Sequence, residues 1–278
     1  MGAMDDGAAP FSRTVRVART GSTSTDLREA AAREPGRWPH LSVLVADAQD
    51  AGRGRAGRSW DTPPGQALTA SVLVRPRVPA QDLAWVTLLT GLAVLRAVED
   101  VLTGAGGGAA ARRRVALKWP NDVVMVDAGE EDLPGWGRDR KVAGILTEVV
   151  PGQPPAVVLG IGVNVAEERS GLPVGWATSL RLEGAAATPQ HVLAAVGRHL
   201  VALLDRWETA GGDTGALTGE VAERCATLGQ EVAVDLPGGE RLEGTATSLG
   251  ADGALLVRTE DGREVAVRAG DVSHVRRR

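Results

Sequence analysis

The sequence predicts an α+β fold, in which a larger domain of strands and buried helices is followed by a small all-β domain. Three observations predict it. Short runs of β-branched apolar residues recur over the first 165 residues and are typical of buried strands. Residues 81–102 are apolar on nearly every side, which indicates a helix packed against a sheet. After Gly229, alternating polar and apolar residues are punctuated by Gly-Gly and Asp-Gly pairs, the hairpin pattern of a small β-barrel.

The strands of the large domain are predicted from these apolar runs and from the Gly, Pro and Asp residues that bound them. Longer stretches between them, dense in glycine, proline or charge, are predicted to be loops. The predicted strands cover 15–17, 41–45, 67–74, 115–119, 123–126, 142–150 and 157–165.

Four helices are predicted in the same domain. Ser24 or Thr25 can cap a helix over 26–33, because hydroxyl side chains accept hydrogen bonds from the free N–H groups of a first turn. The second helix is the apolar stretch 81–102, and the third begins at Thr188–Pro189 with a cap followed by proline. The fourth carries apolar residues at helical spacing, namely Leu217, Val221, Cys225 and Leu228.

The chain is therefore divided into a flexible lead at 1–13, a main domain at 14–228 and a β domain at 229–278. Two segments of the main domain are predicted to be loop insertions that affect only the surface. The first is Gly104–Arg114, where the run of three arginines is better explained as a solvated cluster than as a phosphate contact. The second, Asp127–Asp139, is predicted to be the tip of a long hairpin.

Composition excludes several classes of protein. A net charge of -4 argues against a dedicated nucleic-acid binder, although not against a local basic loop. One cysteine, Cys225, rules out an internal disulfide framework, and its place on an apolar stripe favours a buried filler over a nucleophile. The four histidines lack metal-ligand spacing, and no apolar run approaches the roughly 20 residues of a membrane span. No signal-peptide pattern opens the chain, so the expected compartment is the cytoplasm.

The first chemical motif is the loop Gly52–Trp60, which reads Gly-Arg-Gly-Arg-Ala-Gly-Arg-Ser-Trp. Its glycines allow close approach of the backbone to a ligand, and its arginines offer planar donor pairs to phosphate or carboxylate. Trp60 can stack on a base. The alternative is a basic surface turn. A Walker A loop is excluded because the Gly-Lys-Ser/Thr ending is absent.

Four further motifs each allow a structural interpretation. In Lys118–Asp122, proline breaks a strand, and a cation, an amide and a carboxylate then project from one strand end. The alternative is that this segment is only a turn. Lys141 begins a strand, a position suited to binding an anionic group of a substrate. The alternative is an ordinary surface lysine. Gly160–Asn164 is a poor dinucleotide fingerprint, but glycines inside a strand mark close approach of a ligand or backbone. Thr20–Thr23 presents hydroxyls that bind a ligand or cap a helix.

In this order and spacing the motifs resemble those of the biotin–protein ligases, over about residues 15–165. The final β segment resembles the small SH3-like domain of that family. The resemblance implies a monofunctional ligase whose catalytic domain is class II synthetase-like, with a mixed, mostly antiparallel sheet and packed helices. It also implies a two-step reaction: the biotin carboxylate attacks the α-phosphate of ATP to give biotinyl-5′-AMP, and an acceptor lysine then attacks that mixed anhydride.

The resemblance also implies roles for individual residues. Cations would neutralise the two anions of the first step, with Mg²⁺ on the phosphates. The implied catalytic residues are Lys141, Arg53 and Arg55. The implied biotin contacts are Ser22, Thr23, Ser24, Gln49, Arg53, Gly54, Arg55, Lys141, Gly144 and Gly162, with the two last glycines leaving room for the apolar body of biotin. The implied ATP and adenylate contacts are Arg53, Arg55, Trp60, Lys118, Asn121 and Asn164, and Asp122 is the candidate Mg²⁺ ligand.

The chain departs from the family at Ser24, where asparagine is common. Because the first motif begins at Thr20, no room is expected for the N-terminal winged helix of ligases that double as repressors, so DNA is not an expected partner. The expected partner is the biotin carboxyl carrier domain of an acyl-CoA carboxylase, and the oligomeric state is left open. Two alternatives remain: a lipoate–protein ligase, and a non-catalytic protein that binds biotin or docks the acceptor.

Overall fold

The computed structural model describes residues 10–107, 114–152 and 154–274. Its larger sheet has seven strands in the order β1-β2-β3-β7-β6-β5-β4. Only the β1–β2 pair is parallel, so the predicted mixed, mostly antiparallel sheet is confirmed. The strands are β1 (Arg13–Val17), β2 (Ser42–Ala46), β3 (Ala67–Val74), β4 (Val115–Lys118), β5 (Asp122–Met125), β6 (Arg140–Val150) and β7 (Ala156–Asn164).

Helices cover both faces of this sheet, as the alternation along β2 shows. Val43 and Val45 point into the main core with α2 (Trp85–Leu102) and α3 (Pro189–Thr209). Leu44, between them, points to the opposite face and packs with α1 (Thr23–Arg33). Because successive residues of a strand face opposite sides, strands covered on both faces carry continuous apolar runs.

Helix α1 begins earlier than its sequence predicts. Ser22 is the N-cap, and its hydroxyl accepts a hydrogen bond from the Thr25 N–H at 3.5 Å. The prediction that Ser24 or Thr25 caps this helix is therefore wrong. Four consecutive hydroxyl residues can each act as a cap, and the extended backbone at Ser22 selects the first of them. The helix predicted over 81–102 begins at Trp85 instead, because residues 80–84 form a 3₁₀ turn before it.

The last helix, α4 (Gly215–Glu223), ends two residues before Cys225. Cys225 is nevertheless buried, and burial raises the pKa of its thiol, which agrees with the filler role. The predicted flexible lead is wrong at its end, since Phe11 packs on the core and Arg13 begins β1. Residues 1–9 lie outside the described ranges, as do 108–113, which hold most of the predicted arginine cluster.

The C-terminal segment is all-β, as predicted. Its five antiparallel strands lie in the order β11-β10-β9-β8-β12. Trp85 and Trp119 donate their indole N–H groups to the carbonyls of Ala251 (2.5 Å) and Gly253 (3.1 Å), which fastens this domain to the first. In the described part of the chain, no helix is long and apolar enough to cross a membrane. The strands are β8 (Glu231–Asp235), β9 (Arg241–Leu249), β10 (Leu255–Arg258), β11 (Glu264–Val267) and β12 (Asp271–His274).

Candidate active site

A cavity of about 480 Å³ lies where the first turn of α1, the Gly52–Trp60 loop, the β4–β5 turn and strand β12 meet. All residues that the sequence marks for the site line this one cavity. Their assignments to biotin, nucleotide or metal remain predictions. The predicted residues that line it are Ser22, Thr23, Ser24, Gln49, Arg53, Gly54, Arg55, Trp60, Lys118, Asn121, Asp122, Lys141, Gly144, Gly162 and Asn164.

One end of the cavity is lined by neutral hydrogen-bonding groups. The Gln49 Oε1 accepts hydrogen bonds from the Thr23 N–H (2.7 Å) and hydroxyl (3.0 Å). Ser71 donates to the Thr23 hydroxyl at 2.8 Å and lies 3.0 Å from the Ser24 hydroxyl. Ser71 was not predicted, and its only signal is a polar residue inside an apolar strand. This end has the uncharged donors and acceptors that a polar, neutral ring requires.

The indole of Trp60 fills the space over two glycines. Gly144 and Gly162 face each other across β6 and β7. A Cβ at Gly162 would lie 2.8 Å from Trp60 Nε1, and one at Gly144 would lie 3.3 Å from the same ring. Both positions therefore need glycine for close packing. In this structure the Trp60 ring lies in the space that the two glycines leave, and their contact with the apolar body of biotin remains a prediction.

Lys141 and Asp122 form the central ion pair of the cavity. Lys141 Nζ lies 2.7 Å from Asp122 Oδ1 and 5.5 Å from the centre of the Trp60 ring. Both side chains are largely buried, with exposed fractions of 21% and 16%. Lys141 is thus held inside the site rather than on the surface, and a carboxylate fixes the place of its ammonium group.

Lys118 is the most buried cation of the site, with 5% of its surface exposed. Its ammonium donates to the Val272 carbonyl at 2.8 Å and lies 4.0 Å from the centre of the Trp136 ring. Burial lowers the pKa of Lys118 to about 8, although Asp122 opposes the shift. Its charge is therefore kept up to about pH 8 and lost above it.

The arginines of the Gly52–Trp60 loop point to three different partners. Arg53 pairs with both carboxylate oxygens of Glu148, at 2.8 and 2.9 Å. Arg55 donates to the Gly270 carbonyl at 3.5 Å, and burial lowers its pKa. Arg58, which the sequence did not assign to the site, forms an ion pair with Asp271. The loop thus contacts β6 on one side and the C-terminal domain on the other.

The two predicted asparagines hold backbone in place. Asn121 donates its amide N–H to the Ile145 carbonyl at 2.8 Å, which fastens the β4–β5 turn to β6. Asn164 donates to the Thr178 carbonyl at 2.9 Å, which fixes the loop after β7. Each therefore positions a wall of the cavity, and their direct contact with a nucleotide remains a prediction.

The segment 127–139 is not confined to the surface, which corrects the sequence prediction. Trp136 lines the cavity and stacks on Trp176, with ring centres 5.9 Å apart and planes 10° from parallel. The segment is rich in Gly, Pro and acidic residues, which is typical of an exposed hairpin tip. Trp136 was therefore the one signal in its sequence that the segment belongs to the cavity. Trp176 and Asp271 also line the cavity, and the sequence did not predict either of them.

Residues 17–164 match the biotin/lipoate A/B protein ligase family, and residues 227–275 match the biotin protein ligase C terminal domain. The chain is 36% identical to the biotin–[acetyl-CoA-carboxylase] ligase of Mycobacterium tuberculosis, over 94% of this chain and 88% of the relative. It is 31% identical to the ligase of the same name from Paracoccus denitrificans, over 90% and 95%.

Among solved structures, the biotin protein ligase from Aquifex aeolicus in complex with biotin and ATP superposes with a TM-score of 0.73 at 26% identity. The superposition covers 95% of this chain and 100% of that one. The chain therefore belongs to the biotin/lipoate A/B protein ligase family. The match of residues 227–275 to the biotin protein ligase C terminal domain makes the chain similar to the biotin protein ligases in particular.

Proposed function

We propose that this biotin protein ligase joins biotin to ATP in the cavity and then transfers the biotinyl group to a lysine of a carrier domain. The observation that carries the proposal is the arrangement of one cavity: a neutral hydrogen-bonding end at Thr23 and Gln49, and a cationic end at Lys118 and Lys141. Biotin has the matching polarity, with an uncharged ureido ring at one end and a carboxylate at the other.

The first step needs cations because it brings a carboxylate against a triphosphate. One carboxylate oxygen attacks the α-phosphorus, the bond from phosphorus to the β-phosphate bridging oxygen breaks, and pyrophosphate leaves. Lys141, held by Asp122, is placed to offset the repulsion between the two anions. Arg53 and Arg55 lie in the glycine-rich loop beside them and supply planar donors to the phosphates.

The second step needs water to be kept out, because the mixed anhydride hydrolyses easily. The acceptor amine attacks the acyl carbon, and AMP leaves with the bonding electron pair. The Gly52–Trp60 loop lines the cavity, where Arg53 ties it to Glu148 and Arg55 ties it to the Gly270 carbonyl of the C-terminal domain. A covered site protects the intermediate until the acceptor lysine enters.

Magnesium fits as an ion carried mainly by ATP. The described residues contain no group of three His, Cys, Asp or Glu side chains that could hold a metal. They do place one carboxylate, Asp122, beside Lys118 and Lys141, and Mg²⁺ is often held by one carboxylate together with substrate phosphates. When bound, the ion would neutralise phosphate charge.

The acceptor and the domain plan follow from the family. We infer that the acceptor is the biotin carboxyl carrier domain of an acyl-CoA carboxylase, since two relatives are named for acetyl-CoA carboxylase. We also infer that residues 14–228 form a class II synthetase-like catalytic domain and that residues 229–278 form an SH3-like domain. The seven-stranded sheet and the five antiparallel strands support this division.

A direct test is mass-spectrometric detection of biotinyl-5′-AMP after incubation with biotin and ATP, followed by loss of that signal when a carrier domain is added. Lipoate is supplied in a parallel reaction and as a competitor. The proposal predicts a biotinyl adduct and no effect of lipoate. A lipoyl adduct would indicate the lipoate ligase, and biotin binding without any adenylate would indicate the non-catalytic alternative.

A further inference from the structure

Lys118 places a nearly buried ammonium at the cationic end of the cavity, here called the nucleotide end; only 5% of the residue is exposed. The carboxylate of Asp122, on the neighbouring strand, is paired with Lys141 at 2.7 Å. Lys118 itself forms no ion pair with any residue that the structure describes. A buried cation without a carboxylate must be held by other groups.

Two groups hold the Lys118 ammonium. It donates to the Val272 carbonyl at 2.8 Å, and it lies 4.0 Å from the centre of the Trp136 ring. The face of an indole attracts a cation, and the attraction is stronger where water is excluded. Because the carbonyl takes only one of the three N–H donors, the ring can hold the ammonium while donors remain for a ligand.

The segment 127–139, which carries Trp136, has a fixed backbone. A backbone bridge joins Leu133 to Gly137, on the two sides of Trp136. At the base of the segment, the buried Arg140 guanidinium donates to three backbone carbonyls, those of Glu131 (2.7 Å), Gly137 (3.1 Å) and Asp139 (2.9 Å). The position of the indole is therefore set by the fold of the segment.

The same segment is fastened to the strand that supplies the Val272 carbonyl. His274 of β12 donates its backbone N–H to the Gly135 carbonyl at 3.3 Å. A Cβ at Gly135, where φ is +74°, would lie 3.1 Å from Ser273 Oγ, so glycine permits this close approach. The ring and the carbonyl that hold the ammonium are thus joined to each other through backbone.

We propose that Trp136 is a positioning residue: its indole face holds the Lys118 ammonium in the place where it contacts a phosphate of ATP. This inference rests on the proposed function, which brings ATP to the nucleotide end of the cavity. It gives a role in phosphate binding to a segment that the sequence marks only as an insertion. The end at Thr23 and Gln49, proposed for biotin, does not depend on Trp136.

The experiment is a double-mutant cycle between Trp136 and Lys118. The variants are Trp136→Leu, Trp136→Phe, Lys118→Met, and Trp136→Leu combined with Lys118→Met. Calorimetry measures binding of biotin, and then binding of inorganic tripolyphosphate to protein saturated with biotin. Pyrophosphate release gives kcat and the KM for ATP, and circular dichroism checks that each variant is folded.

Trp38→Leu is the matched control for loss of an indole. Trp38 also lies over a cation, with the Arg13 guanidinium 4.4 Å from its ring centre, but it packs beside α1 outside the cavity. This variant should bind tripolyphosphate and biotin as the wild type does, even where its thermal stability falls.

Trp136→Leu is expected to weaken tripolyphosphate binding and to raise the KM for ATP by about tenfold, as loss of a largely desolvated cation–π contact requires. Biotin binding stays unchanged, and kcat changes less than KM. Trp136→Phe recovers part of the loss, because a smaller ring still attracts the cation. In the Lys118→Met background, Trp136→Leu has almost no further effect, since no ammonium remains to be held.

Two results would overturn the inference. One is unchanged tripolyphosphate binding in folded Trp136→Leu. The other is a loss that is equally large with and without Lys118, or equally large for biotin, which would make the segment a general support of the fold. Failure of the proposed function is seen separately, as a wild type that completes this cycle with tripolyphosphate but forms no biotinyl-5′-AMP from biotin and ATP.

Discussion

Lys141 illustrates how a residue that sequence places at a strand start becomes a component of a site. Its ammonium lies inside the cavity because Asp122, from the neighbouring strand β5, pairs with it at 2.7 Å. The sequence predicted both residues to lie in the site, but it predicted Asp122 only as a magnesium ligand. Their pairing depends on the register of β5 against β6, which contains an irregularity that no sequence pattern announces.

Lys141→Ala is expected to lower the rate of adenylate formation by about 10²–10³-fold, because it removes a charge that acts as the two anions approach. It also leaves Asp122 largely buried without its partner, at a cost of about 1–3 kcal/mol in the free energy of unfolding. Pyrophosphate release and thermal unfolding measure the two effects.

The double variant Lys141→Ala with Asp122→Asn separates them. It restores the part of the stability that the unpaired Asp122 charge costs, and it does not restore adenylate formation. Supplying chemically prepared biotinyl-5′-AMP should recover part of the transfer step. Near wild-type pyrophosphate release by folded Lys141→Ala would remove this lysine from the mechanism.

Arg55→Ala is expected to speed the release of biotinyl-5′-AMP more than it weakens the binding of biotin. The guanidinium belongs to the glycine-rich loop, and in the proposed reaction it contacts a phosphate and not the ureido ring. Loss of a hydrogen bond to a charged group corresponds to about 1.5–3 kcal/mol. Stopped-flow release of the adenylate and calorimetry with biotin give the comparison, and equal losses would show that Arg55 shapes the biotin pocket.

At the scale of elements, the loop after β7 holds a carboxylate that the mechanism does not use. Glu167 is fully buried, and neither of its carboxylate oxygens makes a hydrogen bond with the described residues. Burial raises its pKa from 4.5 to about 7, and the nearby backbone N–H groups at 165–167, which are not aligned for hydrogen bonds, offset only part of the shift. The same loop carries Trp176, so its stability bears on the nucleotide end of the cavity.

Glu167 predicts a pH dependence of stability. Its folded-state pKa lies above the unfolded value, so proton binding stabilises the fold fully below about pH 4.5, and this stabilisation is lost as pH rises through about 7. Over that window the loss is on the order of 3 kcal/mol. Glu167→Gln should raise the melting temperature at pH 8 and flatten its fall between pH 5 and 7.

The neighbouring Glu168→Gln is the control for that measurement, since Glu168 is 59% exposed and pairs with Arg181. It should keep the pH profile of the wild type. An unchanged profile in Glu167→Gln would show that the buried carboxylate is not the group that titrates.

Element boundaries were predictable to the extent that the pattern was periodic. The long apolar runs of β3 and β7 and the N-terminal cap of α3 follow directly from residue type. The cap of α1 was not predictable, because four hydroxyl residues compete and backbone geometry decides. The contribution of segment 127–139 to the cavity was also not predictable, because Arg140 holds that segment through backbone carbonyl groups, which carry no sequence signal.

At the scale of the whole molecule, the site belongs to both domains. Three cations of the first domain contact one short stretch of the second: Arg55 reaches the Gly270 carbonyl, Arg58 pairs with Asp271, and Lys118 donates to the Val272 carbonyl. The sequence predicted many of the residues that line the cavity. It did not predict that β12 forms a wall of it, because contacts between residues so far apart in sequence leave no local pattern.

The proposed reaction of biotin with ATP in this cavity is measured most directly by ATP–pyrophosphate exchange. Labelled pyrophosphate is incubated with protein, Mg²⁺ and ATP, with or without biotin, and label entering ATP is counted. We predict exchange that requires biotin, is not supported by lipoate, and falls by about 10²–10³-fold in the Lys141→Ala with Asp122→Asn variant. Exchange without biotin, or wild-type exchange in that folded variant, would contradict the account.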